Sequence, residues 1–308
     1  MTTSTDLLNR FEEQRPRLRA VAFRLLGSLP DADDALQDAW LRVAGTSPAD
    51  GSDGPVTDDE AREITNVDGW LTTVVTRVCL NALRSRRTRR EDPFEVHVPE
   101  PIVEPASGQD PEHEAVLADH VGLALLVVLE TLGPAERLAF VLHDMFAVPF
   151  DEIATMLDRS PEAVRQLASR ARRRVQQRPT EPDPDLRAQR QVVDAFFAAA
   201  RGGDLDGLMA ILHPDVVLTS DGGRARPAMS MVLRGPAEVT SQAVIAAASM
   251  PQLPYPALVN GAAGVVVAPQ STAQFVMAFT VVDGRIVAID VLADPERLEG
   301  IDVEALRG

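Results

Sequence analysis

The sequence predicts a multidomain chain: two all-α domains, the second carrying a helix-turn-helix, followed by an α+β domain. Three observations predict it. Up to about residue 178 the apolar residues recur at helical spacing, whereas beyond residue 215 they fall into short strand-like runs. Two polar stretches bearing prolines, residues 94–110 and 179–184, divide the chain. Between them, residues 150–175 read as two short helices about a tight turn. Helices first and antiparallel strands after them suggest an α+β arrangement for the last domain.

Residues 6–26 predict an amphipathic helix with Leu7, Phe11, Leu18, Val21, Ala22 and Leu25 inward, stopped by Gly27-Ser28-Leu29-Pro30. Residues 31–43, DADDALQDAWLRV, predict a second helix. It turns Ala35, Leu36, Ala39 and Trp40 inward and Asp33, Asp34, Gln37, Asp38 and Arg42 outward, with no compensating cation among residues 33–38. Residues 44–67, rich in Gly, Pro, Ser and Asp, read as an insertion. Residues 68–90 predict a long helix that begins apolar, with Trp70 packed in the core, and ends strongly basic. Residues 94–110 have no helical period and read as a linker; residues 113–130 and 134–146 are helical on either side of Gly133.

In residues 150–175, FDEIATMLDRSPEAVRQLASRARRRV, the first helix carries Ile153, Ala154 and Leu157 on one face. Asp158 suits the left-handed backbone of the turn. Ser160 caps the second helix, with Pro161 at its first position and Glu162 against its positive end. Val164, Leu167, Ala168, Ala171 and Val175 form the apolar stripe. Arg165, Gln166, Ser169, Arg170, Arg172 and Arg173 face away from it. This polarity suits a major groove, with base edges reached from the N-terminal half and phosphates held by arginines.

Beyond the second linker, residues 185–201 and 204–212 predict helices. Residues 216–219, 229–233, 257–259, 264–268, 273–282 and 285–292 then read as strands. Val282-Asp283-Gly284-Arg285 is a hairpin signal, because Asp-Gly suits a two-residue turn.

The 308 residues carry a net charge of −16, unusual for a nucleic-acid binder, but the charges are segregated. Residues 77–90 hold six arginines and no acid; residues 91–119 hold acids and two histidines but no arginine or lysine. Local fields, not the mean, decide nucleic-acid contacts. Cys79 is the single cysteine, so a disulfide framework and a cysteine-based metal site are excluded. No apolar run approaches a membrane span and the N-terminus is not a signal peptide, so the expected location is cytoplasmic.

The order of these pieces resembles the extracytoplasmic-function sigma factors of bacterial RNA polymerase. DADDALQDAWLRV resembles the helix that grips the polymerase clamp. GWLTTVVTRVCLNALRSRRTRR resembles the helices that melt and read the minus-ten element, and residues 132–175 resemble the reader of the minus-thirty-five element. The tail resembles the SnoaL-like, or NTF2-like, α+β cone carried by one branch of that family. There HVPEPIVEP (residues 97–105), Asp221-Gly222-Gly223 and Asp294-Pro295-Glu296-Arg297-Leu298 resemble the branch's linker motif, its Asp-Gly-Gly motif and its Asn-Pro-Asp-Lys-Leu motif, the first without its usual tryptophan. Other departures are Arg77 where asparagine is common, Asn81 where aspartate is common, Asp158 in place of the turn glycine, and the long insertion.

The resemblance implies a promoter-specificity subunit regulated in cis by its tail. It divides the chain into a region-two-like domain (6–91), an acidic linker (92–112), a region-four-like domain (113–178), a linker (179–186), the cone (187–292) and a docking segment (293–308). It implies core-polymerase contacts at Asp33, Asp34, Gln37, Asp38 and Arg42. Minus-ten contacts fall on Arg77, Asn81, Arg84, Arg86, Arg87 and Arg90, and minus-thirty-five contacts on Ser160, Glu162, Arg165, Gln166, Ser169, Arg170 and Arg173. Regulatory roles fall on Asp221, Gly222, Gly223, Asp294, Pro295 and Leu298. The partners are RNA polymerase core enzyme and promoter DNA, not a membrane, with a ligand of the tail left open. No cofactor, metal or catalytic residue is expected. His213, Asp215, Asp221 and Asp290 are acid–base groups, but spacing ties none of them to another. Two alternatives stay open: a ligand-sensing helix-turn-helix regulator, and a SnoaL-type enzyme fused to a DNA-binding module.

Overall fold

The computed structural model describes residues 4–44, 64, 66–89, 96–106, 122–177, 182–249 and 254–306. They fall into two compact units, Met1–Pro93 with Thr131–Arg174, and Phe94–Glu130 with Val175–Gly308. Arg87, Arg89 and Arg90 (whose side chains carry part of the basic tail), most of the insertion and the first half of the 113–130 segment lie outside what is described.

The first unit opens with α1 (Ser4–Leu26), α2 (Leu29–Val43) and α3 (Val67–Arg89). Gly27 takes a positive φ of 73° and stops α1; the Ser28 hydroxyl then accepts from the Asp31 amide and starts α2. The expected apolar stripe of α1 is buried throughout, as are Leu36, Ala39 and Val43 of α2 and Leu71, Val75 and Cys79 of α3, and α1 packs against both helices. Burial pushes the Cys79 thiol up to about 12, which leaves it a small core hydrophobe. Arg10 of α1 grips Asp68 at the head of α3 with two bonds of 2.7 and 2.8 Å. Trp40 and Trp70, expected in the core, are only half-buried. Each sits at the edge of its helix's apolar stripe, where a large indole is covered on one side only.

The chain next forms β1 (Val103–Pro105) and α4 (Leu123–Glu130), both in the second unit, and returns with α5 (Pro134–Phe140). After a π-helical turn, Val141–Met145, come α6 (Phe150–Leu157) and α7 (Pro161–Gln176). Asp158 adopts the left-handed turn expected of it (φ 53°, ψ 54°), and the Ser160 hydroxyl caps the Ala163 amide. Ile153, Ala154, Leu157, Val164, Leu167, Ala168 and Ala171 are buried as read, with Val175 half-buried. Arg137 of α5 is almost wholly buried, its guanidinium donating to the Arg24 carbonyl.

The second unit adds α8 (Leu186–Gly202), α9 (Leu205–Ile211), β2 (Leu212–Asp221), β3 (Met231–Arg234), α10 (Pro236–Ser249), β4 (Tyr255–Val259), β5 (Ala262–Val267), β6 (Phe275–Val282), β7 (Arg285–Leu292) and α11 (Pro295–Leu298). Its sheet runs β1-β4-β5-β6-β7-β2-β3; among the described strands only the β2–β7 pair is parallel. The α+β cone is therefore present, with α8 and α10 against one face of the sheet. Phe196 and Phe197 of α8 meet Phe279 of β6 edge-on at 5.5 and 5.9 Å. Asp283 and Gly284 both take positive φ, as the Asp-Gly turn requires, and the Asp183 carboxylate accepts both their amides. The linker of residues 179–184 is thus tied to the hairpin at Asp183.

Two readings of the tail change. Residues 236–249 form α10, whose Ala-rich face carried too weak a period to be singled out. Residues 103–105, read as linker, form the sheet's edge strand β1, antiparallel to β4, with Val103 opposite Val259 and Pro105 opposite Ala257. Proline masks a strand in sequence, yet an edge position tolerates it because no ladder donor is needed there.

Candidate functional site

On α3 the core side uses Leu71, Val75, Val78 and Cys79, so the opposite side is turned out. Arg77, Asn81 and Arg84 are all exposed, and their spacing of four and three residues aligns them in one stripe. The half-buried Trp70 and Thr73 continue that stripe towards the helix start. Arg86 is placed differently. Its guanidinium donates to the Leu26 carbonyl at 2.9 Å and pairs with Asp31, which ties the basic end of α3 back to the α1–α2 junction.

On α7 the exposed face also divides. Arg170 and Arg174 both pair with Glu136 of α5, at 2.9 and 2.8 Å, and Arg172 pairs with Asp144. Burial opposes the Glu136 charge, but the bond from Arg170, the Gly133 amide and Arg174 hold its carboxyl below the usual range. These arginines brace the helix. Arg165, Gln166 and Arg173 remain turned outward, with Ser169 half-buried between them and Glu162 exposed one turn before. Arg165 makes a longer contact of 3.3 Å to Glu162 and lies 5.6 Å over the Phe150 ring.

On α2, Asp34, Gln37 and Asp38 are exposed and Arg42 is half-buried. Asp33 departs from the expectation of an uncompensated acidic face. Arg19 of α1 grips it through two bonds of 2.6 and 2.8 Å, and that bond holds its carboxyl below the usual range. The cation comes from the neighbouring helix, where helical spacing within α2 could not reveal it.

The tail motifs converge on one point in the second unit. Asp221, at the end of β2, is 3% exposed. One carboxylate oxygen accepts the Val98 amide at 2.9 Å and Nη1 of Arg297 at 2.8 Å; the other accepts the Gly223 amide at 2.9 Å. Nη2 of Arg297 donates to the Val98 carbonyl, so the peptide groups flanking Val98 are held from both sides in a closed ring. His97 adds Nδ1 at 3.5 Å. Burial alone would push the Asp221 carboxyl up, but His97, the Val98 and Gly223 amides and the Arg297 charge hold it below the usual range.

Glycine is required at position 223 for two reasons: its φ is 58°, and a Cβ there would reach within 2.0 Å of an Asp294 oxygen. Asp294 caps α11 through the Glu296 amide, Pro295 opens that helix, and Leu298 is buried beneath it. Asn260, in the β4–β5 turn, makes a second clasp. Its side-chain oxygen accepts the Ile102 amide at 3.0 Å and its own amide donates to the Ile102 carbonyl at 2.8 Å.

Arg297, His97 and Val98 lie within sequence motifs that assign them no role, and Asn260 lies in none. The Asn260-Gly261 pair, with φ of 51° and 78°, was the available signal for that hairpin. The remaining acid–base groups are not brought together. His213 Nδ1 accepts the Asp215 amide at 3.1 Å in a local turn, and Asp290 is buried in β7.

The helical unit followed by an α+β tail has the architecture of a transcription factor of the sigma-70 class. Residues 10–50 match the family model for Sigma-70 region 2, and residues 122–175 that for Sigma-70, region 4. The chain is 38% identical over 319 aligned positions to the ECF RNA polymerase sigma factor SigJ of Mycobacterium tuberculosis, covering 97% of this chain and 96% of that protein. The crystal structure of that SigJ superposes with a TM-score of 0.67 at 36% identity, covering 94% of this chain and 97% of the other. The chain belongs to the extracytoplasmic-function RNA polymerase sigma factors. It is an alternative sigma factor, not a free-standing ligand-sensing regulator. Among the described residues no helix is long and apolar enough to cross a membrane.

The Val98 clasp has a direct consequence. Arg297→Met removes two charge-assisted bonds and strands the Asp221 charge, a loss of about 1.5–3 kcal/mol in linker docking. Cleavage of the full chain at Glu100 and Glu104 by a glutamate-specific protease should therefore accelerate roughly ten- to hundredfold. Because the Asp221 carboxyl is held low, its contribution to docking is full above the ordinary carboxylate range and is lost progressively as pH falls from that range through the lowered value. Unchanged cleavage in Arg297→Met would remove the clasp.

Proposed function

We propose that this sigma factor directs core RNA polymerase to a two-part promoter through the three exposed faces, and that its tail governs the tether between the two readers. The α2 face of Asp34, Gln37 and Asp38, with Arg42 beside it and Asp33 braced by Arg19, docks on a basic surface of the core enzyme. An acidic face speeds such docking by steering. The α3 stripe of Arg77, Asn81 and Arg84 follows the minus-ten strand together with Arg87 and Arg90 of the basic sequence run, with Arg86 anchoring the helix that presents it. On α7, Arg165 and Gln166 reach base edges and Arg173 a phosphate. Ser160 and Glu162 fix the helix start, while Ser169 and Arg170 support the face.

The observation that carries the regulatory half is the bonding of the inter-reader linker. Within His97 to Pro105, residues 103–105 are an edge strand of the tail's own sheet and Val98 is clasped by Asp221 and Arg297. Gly223 donates to Asp221, while Asp294, Pro295 and Leu298 form the helix that carries Arg297. A linker fixed in this way shortens the free chain between the readers, and tether length sets effective concentration. The tail acts as a regulator in cis, working in the cytoplasm without catalysis.

The core-binding assignment predicts that Asp34→Arg with Asp38→Arg weakens binding to core polymerase at low salt, with thermal unfolding unchanged. An unaltered affinity would send the assignment elsewhere on α2. Regulation in cis is tested by run-off transcription on promoters whose spacer is lengthened or shortened stepwise. The intact chain should accept a narrow range of spacers, and the chain ending at residue 184 a broader one. Identical spacer profiles would leave the tail without a part in promoter choice.

A further inference from the structure

Arg165, exposed on α7, meets an aromatic ring as well as an acid. Its guanidinium carbon lies 5.6 Å from the centre of the Phe150 ring, within the range of a cation–π contact. Phe150 is the first residue of α6 and is half-buried. Its ring is itself held. His143, from the π-helical turn, stacks on it with ring centroids 3.7 Å apart and planes 27° from parallel. Nδ1 of His143 lies 3.1 Å from the Val148 carbonyl; a carbonyl only accepts, so this nitrogen donates and fixes the imidazole. The turn that brings the two rings together includes Ala147 at φ 55°, a left-handed conformation that is costly for alanine.

A long exposed side chain samples many rotamers, and ordering it on binding costs entropy. The other contact of Arg165, 3.3 Å to Glu162, does little of that ordering. Both side chains are more than half exposed, and such surface pairs are weak and screened by salt. An aromatic face suits the flat guanidinium and does not depend on a second charge. We propose that Phe150 is a positioning residue for minus-thirty-five recognition: its ring, steadied by His143, orients the Arg165 guanidinium before DNA is met. The proposal rests on the reading of Arg165 as a base-edge contact. It gives Phe150 no contact of its own with DNA; the ring acts through the arginine and so affects only the base pairs that the arginine reads.

The test uses holoenzyme assembled with the full-length chain. The wild-type holoenzyme first selects a promoter from genomic fragments, and the upstream element of that promoter is then randomised as a duplex library. Sequencing the bound fraction gives the base preference at each position. Arg165→Ala should flatten the preference at one or two positions. Phe150→Leu should flatten those same positions about two- to fivefold and leave the others unchanged. It should also leave the salt dependence of binding unchanged, because no phosphate contact is lost. Phe150→Tyr, which keeps the ring, should match the wild type. In the Arg165→Ala background, Phe150→Leu should add nothing. Phe150→Met, which also fills the space without a ring, replaces Phe150→Leu should that variant fail to fold. If Arg165→Ala leaves every position unchanged, the base-reading assignment falls and the proposal with it. If Arg165→Ala flattens a position that Phe150→Leu spares, the positioning role alone is overturned. An even loss at all positions, a Phe150→Tyr variant as poor as Phe150→Leu, or additive effects in the double variant would each mark Phe150 as a packing residue and overturn the proposal.

Discussion

A single buried carboxylate organises the tail. Asp221 lies at the end of β2 with its charge removed from water, and a charge so placed is tolerated only when it is paired and hydrogen-bonded. Its partners come from three separate parts of the sequence: the Val98 amide from the inter-reader segment, the Gly223 amide from the adjoining turn, and Arg297 from the C-terminal helix. Arg297 then closes the ring on the Val98 carbonyl. Removing any member strands another, so the linker, the glycine turn and the C-terminal helix stand or fall together. That coupling makes a segment between two DNA-reading domains an integral strand of a third.

The two helices proposed to read DNA, α3 and α7, distribute their charges differently. A chain with net charge −16 must keep its cations from neutralising one another in the wrong places. Glu136 takes two arginines of α7 and Asp144 a third, which stiffens that helix against α5 and the following turn. Asp31 and the Leu26 carbonyl take Arg86. Arg165, Gln166 and Arg173 on α7, and Arg77, Asn81 and Arg84 on α3, are exposed. Chemically identical side chains are thus divided between those that brace one helix against another and those turned outward.

That division marks the limit of what was legible in the sequence. Helices with strong apolar period, the Asp158 turn, the Ser160 cap and the Asp283-Gly284 hairpin follow from local rules, and the structure agrees at each. The motifs of the clasp were visible as separate strings, 97–105, 221–223 and 294–298. Their meeting was not, because it depends on contacts 76 and 123 residues apart. β1 was hidden by Pro105 and the prolines that precede it, and α10 by an alanine-rich face with little contrast. The pairing of Asp33 with Arg19 crosses from one helix to another, so no periodicity within α2 could show it.

The central claim is that the inter-reader linker belongs to the tail's cooperative fold. Native-state hydrogen exchange at the Val98 and Ile102 amides of the full-length chain measures this directly. If the claim holds, both amides exchange only through openings as rare as those of the β5 and β6 amides, since each is bonded to a buried group of the same domain. Exchange of Val98 and Ile102 at the rate of an unstructured peptide, while β5 and β6 remain protected, would contradict it.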